Sequence, residues 1–237
     1  MDYQKEYILK NPGLHLEQAQ LKAKQVLNFL GSLKIDSLLD VACGAGGITM
    51  EFNAKLKPDM AVGIDISKDM IKVAKENDTD HEIEWICEDI YKYSPKANFD
   101  LVTGIDIIEH VEDDLGLLKR MGELGKLVCI KVPMEDSFLD NQIIRKLGIR
   151  DPWKESEERY GHIHHYNEKQ LNKLFTIAGF KILKEGYIPL PKRSKLFYEV
   201  FRVIFLPLGW FSQKAMANFV GGFKIVLLES FNNLSNK

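Results

Sequence analysis

The sequence lacks several features that would restrict its function. Its three cysteines, Cys43, Cys87 and Cys129, lie more than forty residues apart, so neither the close pairs of a zinc motif nor a disulfide framework is expected. No run of about 18 uncharged apolar residues predicts a membrane-spanning helix, and the first residues carry no apolar signal-peptide core. We therefore expect a cytoplasmic protein with reduced thiols.

An excess of one charge is also absent. The chain has 32 basic and 34 acidic residues and a net charge of −2, so no overall field attracts nucleic acid and none is expected as a partner. A local basic face is compatible with this sum, which leaves an RNA substrate as an alternative. The 237 residues, 45% hydrophobic, suit one α/β domain with additions.

Apolar runs of strand length alternate with segments of helical period. The predicted strands are Ser37–Val41, Met60–Ile64, Ile83–Ile86, Phe99–Ile105, Leu127–Val132, Phe180–Leu183 and Gly222–Leu228. The predicted helices are Leu16–Leu30, Ile48–Leu56, Lys68–Asn77, Asp113–Met121, Glu168–Ala178 and Leu196–Leu208. This alternation indicates βαβ units and a parallel sheet, and we expect Pro133 to end the fifth strand.

A glycine-rich turn follows the first predicted strand. Gly44, Gly46 and Gly47 separate Ser37–Val41 from a predicted helix, which is the nucleotide-binding arrangement of open α/β sheets. The dinucleotide fingerprint Gly-x-Gly-x-x-Gly would need a glycine where Thr49 stands, so the match to a dehydrogenase is incomplete.

An acid followed by small residues at alternate positions forms a second pattern in the same stretch. Asp40, Ala42, Gly44 and Gly46 resemble the first motif of class I S-adenosylmethionine-dependent methyltransferases, with Ala42 where that family usually has glycine. The resemblance implies S-adenosylmethionine as the cofactor, bound in part by these four residues. It also implies a Rossmann-like, mostly parallel sheet of seven strands, with an antiparallel strand at its C-terminal edge and helices on both faces.

Two further acids end predicted strands. Asp65 follows the glycines by about twenty residues, where a carboxylate can accept hydrogen bonds from both ribose hydroxyls; a dehydrogenase would use Asp65 in the same way. Asp89 resembles the acid of the family's third-strand motif, which accepts from the adenine amino group. Ile66 and Ile90 are expected to provide apolar walls for the base.

The stretch Phe99–Asp113 resembles the fourth motif of small-molecule methyltransferases of types 11 and 12. The resemblance implies that Asp106 lines the methionine end of the cofactor. His110 is a candidate base for the acceptor's proton because histidine titrates near neutral pH, and Glu109 beside it is the second catalytic candidate. The alternative is that His110 is a packed residue at a helix start.

The same residues suggest a metal as an alternative. Asp106, Glu109 and His110 are similar to the metal-binding Glu-x-x-Glu-His of ubiquinone-pathway and small-RNA methyltransferases, where a divalent ion holds the acceptor hydroxyl. A later histidine, His164, would complete such a site, although Asp106 is one methylene shorter than the family's Glu. The simpler expectation is an acceptor pocket without metal, lined by His162, His164 and Tyr166.

The predicted domain organisation has three parts. Residues 1–36 form an N-terminal helical cover, and residues 37–186 form the cofactor-binding domain with a cover insertion at 134–166. Residues 187–237 add an apolar helix and the last strand to the same domain. Segment 196–211 mixes aromatic with basic residues, so it is expected to be a lid over the domain or, alternatively, a peripheral membrane contact.

Together the motifs favour a methyltransferase that acts on an oxygen or nitrogen of a small-molecule, lipid-like or glycan-type acceptor. Any oligomeric state is compatible with them. Three alternatives stay open: an NAD(P)-linked oxidoreductase, a non-catalytic cofactor-binding regulator, and an RNA 2′-O-methyltransferase.

Overall fold

A computed structural model describes residues 16–189 and 212–231. Within these ranges the strands are β1 (Ser37–Val41), β2 (Met60–Asp65), β3 (Ile83–Cys87), β4 (Phe99–Ile105), β5 (Gly125–Met134), β6 (Phe180–Pro189) and β7 (Gly222–Ser230). The α-helices are α1 (Leu16–Leu30), α2 (Gly47–Leu56), α3 (Lys68–Asn77), α4 (Asp114–Leu124), α5 (Pro152–Tyr160), α6 (Glu168–Ile177) and α7 (Gln213–Val220). A 3₁₀ turn spans Ile108–His110 and a π-helical segment spans Phe138–Arg145.

The strands form one sheet in the order β3-β2-β1-β4-β5-β7-β6. β1 pairs in parallel with β2 and β4, and β2 pairs in parallel with β3. β6 and β7 pair antiparallel at the C-terminal edge, with β6 outermost. The predicted mostly parallel, seven-stranded sheet is confirmed. Because parallel strands end on the same edge, the residues after β1, β2 and β3 lie close together.

The described chain divides into two compact units, and it passes from one to the other at the end of β4, within α4 and within β5. Unit 1 comprises residues 16–105 and 120–129, and unit 2 comprises residues 106–119, 130–189 and 212–231. In unit 1, Leu38, Leu39 and Val62 are fully buried. A Cβ at Gly63 would lie 2.5 Å from the Trp85 ring, so the absence of a side chain at position 63 makes room for the indole.

Unit 2 contains a separate apolar cluster. Leu139 and Ile144 of the π-helical segment pack with Met216 and Val220 of α7. The predicted cover insertion therefore contains helical structure, in the π-helical segment and in α5. None of the helices within residues 16–189 and 212–231 is long and apolar enough to cross a membrane.

The elements β5, β6 and α7 differ from the sequence-based expectation. β5 continues through Pro133 to Met134, because a proline removes one ladder N–H without necessarily ending a strand. β6 extends past Leu183, where a register shift between Ile182 and Lys184 interrupts the alternation. α7 was not predicted. The predicted helix Leu196–Leu208 and the segment 196–211 lie outside the described residues.

Candidate functional site

The turn between β1 and α2 uses backbone conformations that favour glycine. Gly44 and Gly46 have φ of 54° and 82°. A Cβ at Gly46 would lie 2.5 Å from the Trp85 ring, whereas one at Gly44 would meet nothing within 4 Å. Ala42 has φ of 56°, a region in which a Cβ costs about 1 kcal/mol. The turn is thus packed at Gly46 and open beside Gly44.

The Asp65 carboxylate is bonded to this turn. Its Oδ2 accepts a hydrogen bond of 2.8 Å from the Gly44 N–H, and its Oδ1 accepts one of 2.8 Å from the Ser67 N–H. Burial raises the pKa of Asp65, although these amide hydrogen bonds oppose the shift. Each carboxylate oxygen has a second lone pair, so Asp65 keeps acceptor capacity for a ligand. The neighbouring Ile66 is 68% exposed.

Asp40 lies below the surface of the turn. Its carboxylate accepts hydrogen bonds of 2.6 Å from the hydroxyls of both Thr103 and Thr49. Burial raises the pKa of Asp40 to about 6, although both threonines act to lower it. The structure therefore gives Asp40 a bracing contact that joins β1, β4 and α2.

Asp89 and Ile90 follow β3 and are half-buried. The Asp89 Oδ1 accepts from the Tyr91 N–H at 3.0 Å. Arg120 of α4 donates from Nε to the Ile90 carbonyl at 3.1 Å and from Nη2 to the Tyr93 carbonyl. The sequence reasoning missed Arg120, because nothing in the sequence of a predicted helix shows which distant backbone carbonyls a basic residue contacts.

In unit 2 the chain leaves β4 through Asp106, which has φ of 54°. The Asp106 N–H donates to the Lys131 carbonyl at 2.8 Å, and the Asp106 Oδ1 accepts from the Lys131 Nζ at 2.6 Å. Lys131 is only 1% exposed, and its ammonium lies 3.7 Å from the Phe223 ring centroid. A lysine inside an apolar predicted strand was the overlooked signal.

Glu109 is fully buried, and neither of its carboxylate oxygens has a hydrogen-bond partner among the described residues. Burial, followed by the negative charge of Asp106, raises the pKa of Glu109 well above its ordinary value. Beside Glu109, the His110 Nδ1 lies 3.3 Å from the Gly161 carbonyl. Because a carbonyl only accepts, Nδ1 carries the proton and Nε2 keeps the lone pair. Burial, then His162, lowers the pKa of His110 to about 4.

His162 joins these two residues in what we call the Glu109 cluster, formed by Glu109, His110 and His162. The His110 and His162 rings meet edge to face with centroids 4.7 Å apart. One potential ligand atom from each of the three residues lies within 4.8 Å of the others. Two imidazoles and a buried carboxylate without a hydrogen-bond donor fit a divalent metal ion.

The other predicted acceptor residues fasten the segment 161–166 instead. The His164 Nε2 donates to the Val111 carbonyl at 2.9 Å, and the Tyr166 hydroxyl donates to the Asp114 carboxylate at 2.6 Å. The backbone N–H groups of Ile163 and His164 also donate to the Glu109 carbonyl. Of the candidate metal ligands, Asp106 is thus paired with Lys131 and His164 with a carbonyl, and His162 occupies the position proposed for His164.

A second acid, Glu135, lies next to the cluster and was absent from the sequence prediction. Its carboxylate is bonded to the His162 Nδ1 and the His165 Nδ1, each at 3.0 Å, and to the Ser156 hydroxyl. Burial alone would raise the pKa of Glu135, but these hydrogen bonds lower it to about 2. Its position just after β5 repeats the strand-end pattern of Asp65 and could have revealed it.

Comparison with known proteins identifies the family of this chain. A family model described as a methyltransferase domain matches residues 15–185. The chain belongs to this methyltransferase domain family. The ubiquinone biosynthesis O-methyltransferase of Bradyrhizobium diazoefficiens is 34% identical over 102 residues, which are 42% of this chain and 38% of the relative. The chain thus spans about two fifths of the length of such curated relatives.

Solved structures of methyltransferases share the fold. The magnesium protoporphyrin IX methyltransferase of Synechocystis, with bound SAH, has a TM-score of 0.57 at 15% identity, over 89% of this chain and 82% of that chain. The putative methyltransferase of Haloferax volcanii, in complex with the Trm112 activator, has a TM-score of 0.64 at 14% identity, over 97% and 94%. At these identities the likeness demonstrates the methyltransferase fold alone.

Proposed function

We propose that this chain is an S-adenosylmethionine-dependent methyltransferase that transfers a methyl group to an oxygen or nitrogen of a small-molecule, lipid-like or glycan-type acceptor. The observation that carries the proposal is the Asp65 carboxylate held on the Gly44 amide, in a chain of the methyltransferase domain family. A carboxylate fixed there can accept hydrogen bonds from two ribose hydroxyls. The SAH bound in a structure of the same fold supports this cofactor.

The cofactor residues have distinct roles in this proposal. The open side of Gly44 lets a ligand approach the backbone, while Ala42 and Gly46 shape the turn. Asp89 and Ile90 would recognise the adenine, and Arg120 would hold their turn through the Ile90 carbonyl. Ile66 would cover one face of the base, Asp40 would brace the turn, and Asp106 would line the methionine end.

The acceptor is proposed to bind at the Glu109 cluster. Direct transfer needs an acceptor lone pair aligned with the methyl group, so positioning supplies most of the rate enhancement. His110 is neutral above about pH 4, and its Nε2 lone pair can take the proton that the acceptor loses. Glu109 would set the electrostatic environment of the His110 ring, and His164 and Tyr166 would form part of the wall of the acceptor pocket.

A second candidate mechanism uses a divalent cation, favoured by the buried and unpaired Glu109 carboxylate beside two imidazoles. Glu109, His110 and His162 would hold the ion. A bound cation would polarise the acceptor oxygen and lower its pKa. Calorimetric titration with Mg²⁺ and Zn²⁺ against the chain and its Glu109→Gln variant tests this mechanism, because only binding that the variant loses supports it.

The first experiment is calorimetry with S-adenosylmethionine and, separately, NADH. Asp65→Asn is the test variant and Asp59→Asn is its matched control, because Asp59 is an exposed acid just before the opposite end of β2. Loss of hydrogen bonds to a charged group predicts an affinity at least about tenfold weaker in Asp65→Asn, with Asp59→Asn unchanged. Binding of NADH alone would favour the oxidoreductase. Binding of S-adenosylmethionine without transfer to any acceptor would favour the regulator.

A further inference from the structure

The carboxylate of Glu135 joins three parts of unit 2. Glu135 follows β5, and it accepts hydrogen bonds of 2.7 and 2.8 Å from the Ser156 hydroxyl of α5. The His162 Nδ1 lies 3.0 Å from the Glu135 Oε1, and the His165 Nδ1 lies 3.0 Å from the Glu135 Oε2. Both oxygens are therefore occupied, and their partners come from α5 and from the segment 161–166 that follows it.

These distances determine where the histidine protons lie. A carboxylate ion has only acceptor sites, so an imidazole nitrogen 3.0 Å from it must carry the hydrogen. The Ser156 hydroxyl already donates to this carboxylate, so the carboxylate acts as an acceptor for its other partners as well. A neutral His162 is therefore protonated on Nδ1, which leaves the lone pair on Nε2.

Ser156 supports the same assignment. Its hydroxyl is buried, donates to Glu135 and lies 2.9 Å from the His162 Nδ1. Having given its own proton to the carboxylate, the hydroxyl can only accept from the imidazole. Carboxylate and hydroxyl therefore both act on the same ring nitrogen.

His165 provides an internal comparison. It meets Glu135 through the same nitrogen at the same distance, but its ring stacks on Trp153 with centroids 5.0 Å apart. His162 instead meets His110 and belongs to the Glu109 cluster. One carboxylate thus holds His165 on the Trp153 ring and His162 beside the proposed acceptor site, where the Tyr160 ring also lies 5.4 Å from it.

We propose that Glu135 is a positioning residue for the Glu109 cluster: it holds His162 in the Nδ1–H tautomer, so that the Nε2 lone pair is available for chemistry in the cluster. The catalytic consequence rests on the proposed function, whereas the tautomer itself does not. Mutation of a carboxylate that orients an active histidine in this way commonly lowers metal affinity or activity by about 10- to 100-fold.

The test is long-range ¹H–¹⁵N correlation NMR of the full chain labelled at its six histidines. In the wild-type protein at neutral pH, His162 and His165 should both show the Nδ1–H pattern. In Glu135→Gln, His162 should shift towards the mixture shown by the exposed His81, which serves as an internal reference. Glu157→Gln, which changes an exposed acid on α5, should leave both histidines unchanged.

Two results would overturn the proposal. One is a wild-type His162 protonated on Nε2, which needs no variant and so holds even if Glu135→Gln does not fold. The other is a folded Glu135→Gln protein in which His162 keeps the Nδ1–H pattern. Failure of the proposed function would be seen separately, as wild-type protein that does not bind S-adenosylmethionine in the calorimeter, and the tautomer result would stand without it.

Discussion

Lys224 and Glu109 are both completely buried ionisable side chains of unit 2, but their hydrogen bonding is opposite. The Lys224 Nζ donates to the Asn172 Oδ1 at 2.7 Å, to the Glu185 Oε2 at 2.8 Å and to the Tyr187 hydroxyl at 3.3 Å. An ammonium has three donors, so every one of them is used. Glu109 has two buried oxygens and no hydrogen-bond partner among the residues of the described ranges.

This difference separates a structural network from a site. The Lys224 network joins α6, β6 and β7, and its charges and hydrogen bonds are matched within the protein. Buried polar atoms in folded proteins are rarely left unpaired, and an exception needs an explanation such as a ligand, an ion or a catalytic role. Glu109 is such an exception, and it lies beside the two imidazoles that can share a ligand with it.

The largest effect is expected from Lys224→Met. Removing the ammonium ends its hydrogen bonds to Asn172, Glu185 and Tyr187. A hydrogen bond to a charged group contributes about 1.5–3 kcal/mol, so their combined loss should cost about 3–5 kcal/mol. Urea denaturation should show a loss of that size. Lys214→Met is the matched control, since Lys214 pairs with Glu168 and Glu185 from a side chain that is 49% exposed. The free energy of unfolding lost in Lys214→Met should stay near or below about 1 kcal/mol. Equal losses in the two variants would contradict the idea that the buried lysine matters more than the exposed one.

Asp40 gives the next largest effect, as a pH dependence. Its pKa is raised from 3.8 to about 6 in the folded protein, so the folded state holds a proton that the unfolded state releases. The contribution of protonated Asp40 to the free energy of unfolding is therefore fully present below about pH 4. It falls by about 3 kcal/mol as the pH rises to about 6. Asp40→Asn should remove this loss, so the variant should gain about 3 kcal/mol relative to the wild type between pH 4 and pH 7.

Denaturation curves across this pH range measure the Asp40 effect. Asp59→Asn, at an exposed position, should run parallel to the wild type. A parallel curve for Asp40→Asn would mean that Asp40 keeps an ordinary pKa in the folded protein and does not carry the buried proton inferred here.

The smallest change in stability is expected from Glu109→Gln. The raised pKa of Glu109 favours its neutral form, and a glutamine is close to that form in size and polarity, so unfolding should change by less than about 1 kcal/mol. If Glu109 serves the acceptor, methyl transfer should nevertheless fall. Denaturation and S-adenosylmethionine calorimetry on the same sample provide the check. A stability loss as large as that of Lys224→Met would make Glu109 a structural residue and remove the contrast.

Features that depend on neighbouring residues in sequence were predicted well. The bounds of β1, α1, α3 and β4 matched their apolar patterns, and the glycine turn with Asp65 lay where its spacing placed it. Contacts between distant segments were not accessible in the same way. Arg120 meets a carbonyl thirty residues away, and Glu135 meets imidazoles that follow it by 27 and 30 residues. No local pattern encodes such pairs.

The segment 161–166 shows why the sequence did not predict the remaining contacts of the site. His162 and His164 were both named as acceptor residues, but His164 was preferred as the metal candidate. The segment is neither helix nor strand, so sequence spacing does not say which side chain faces which way. Its direction comes from the Ile163 and His164 amides, which donate to the Glu109 carbonyl, a tertiary contact that places His162 beside His110.

The packing of Trp85 against two glycines limits how this sequence can evolve. A Cβ at Gly46 or at Gly63 would lie 2.5 Å from the indole in either case. At Gly63 the indole is the nearest obstacle and the Cys43 Sγ would lie 3.1 Å from the same Cβ, so a lineage could acquire alanine there once position 85 had become smaller and the thiol had shifted slightly. At Gly46 a φ of 82° would still disfavour a side chain after such a change. Positions 63 and 85 should therefore covary among relatives, while position 46 stays glycine whatever its neighbour becomes.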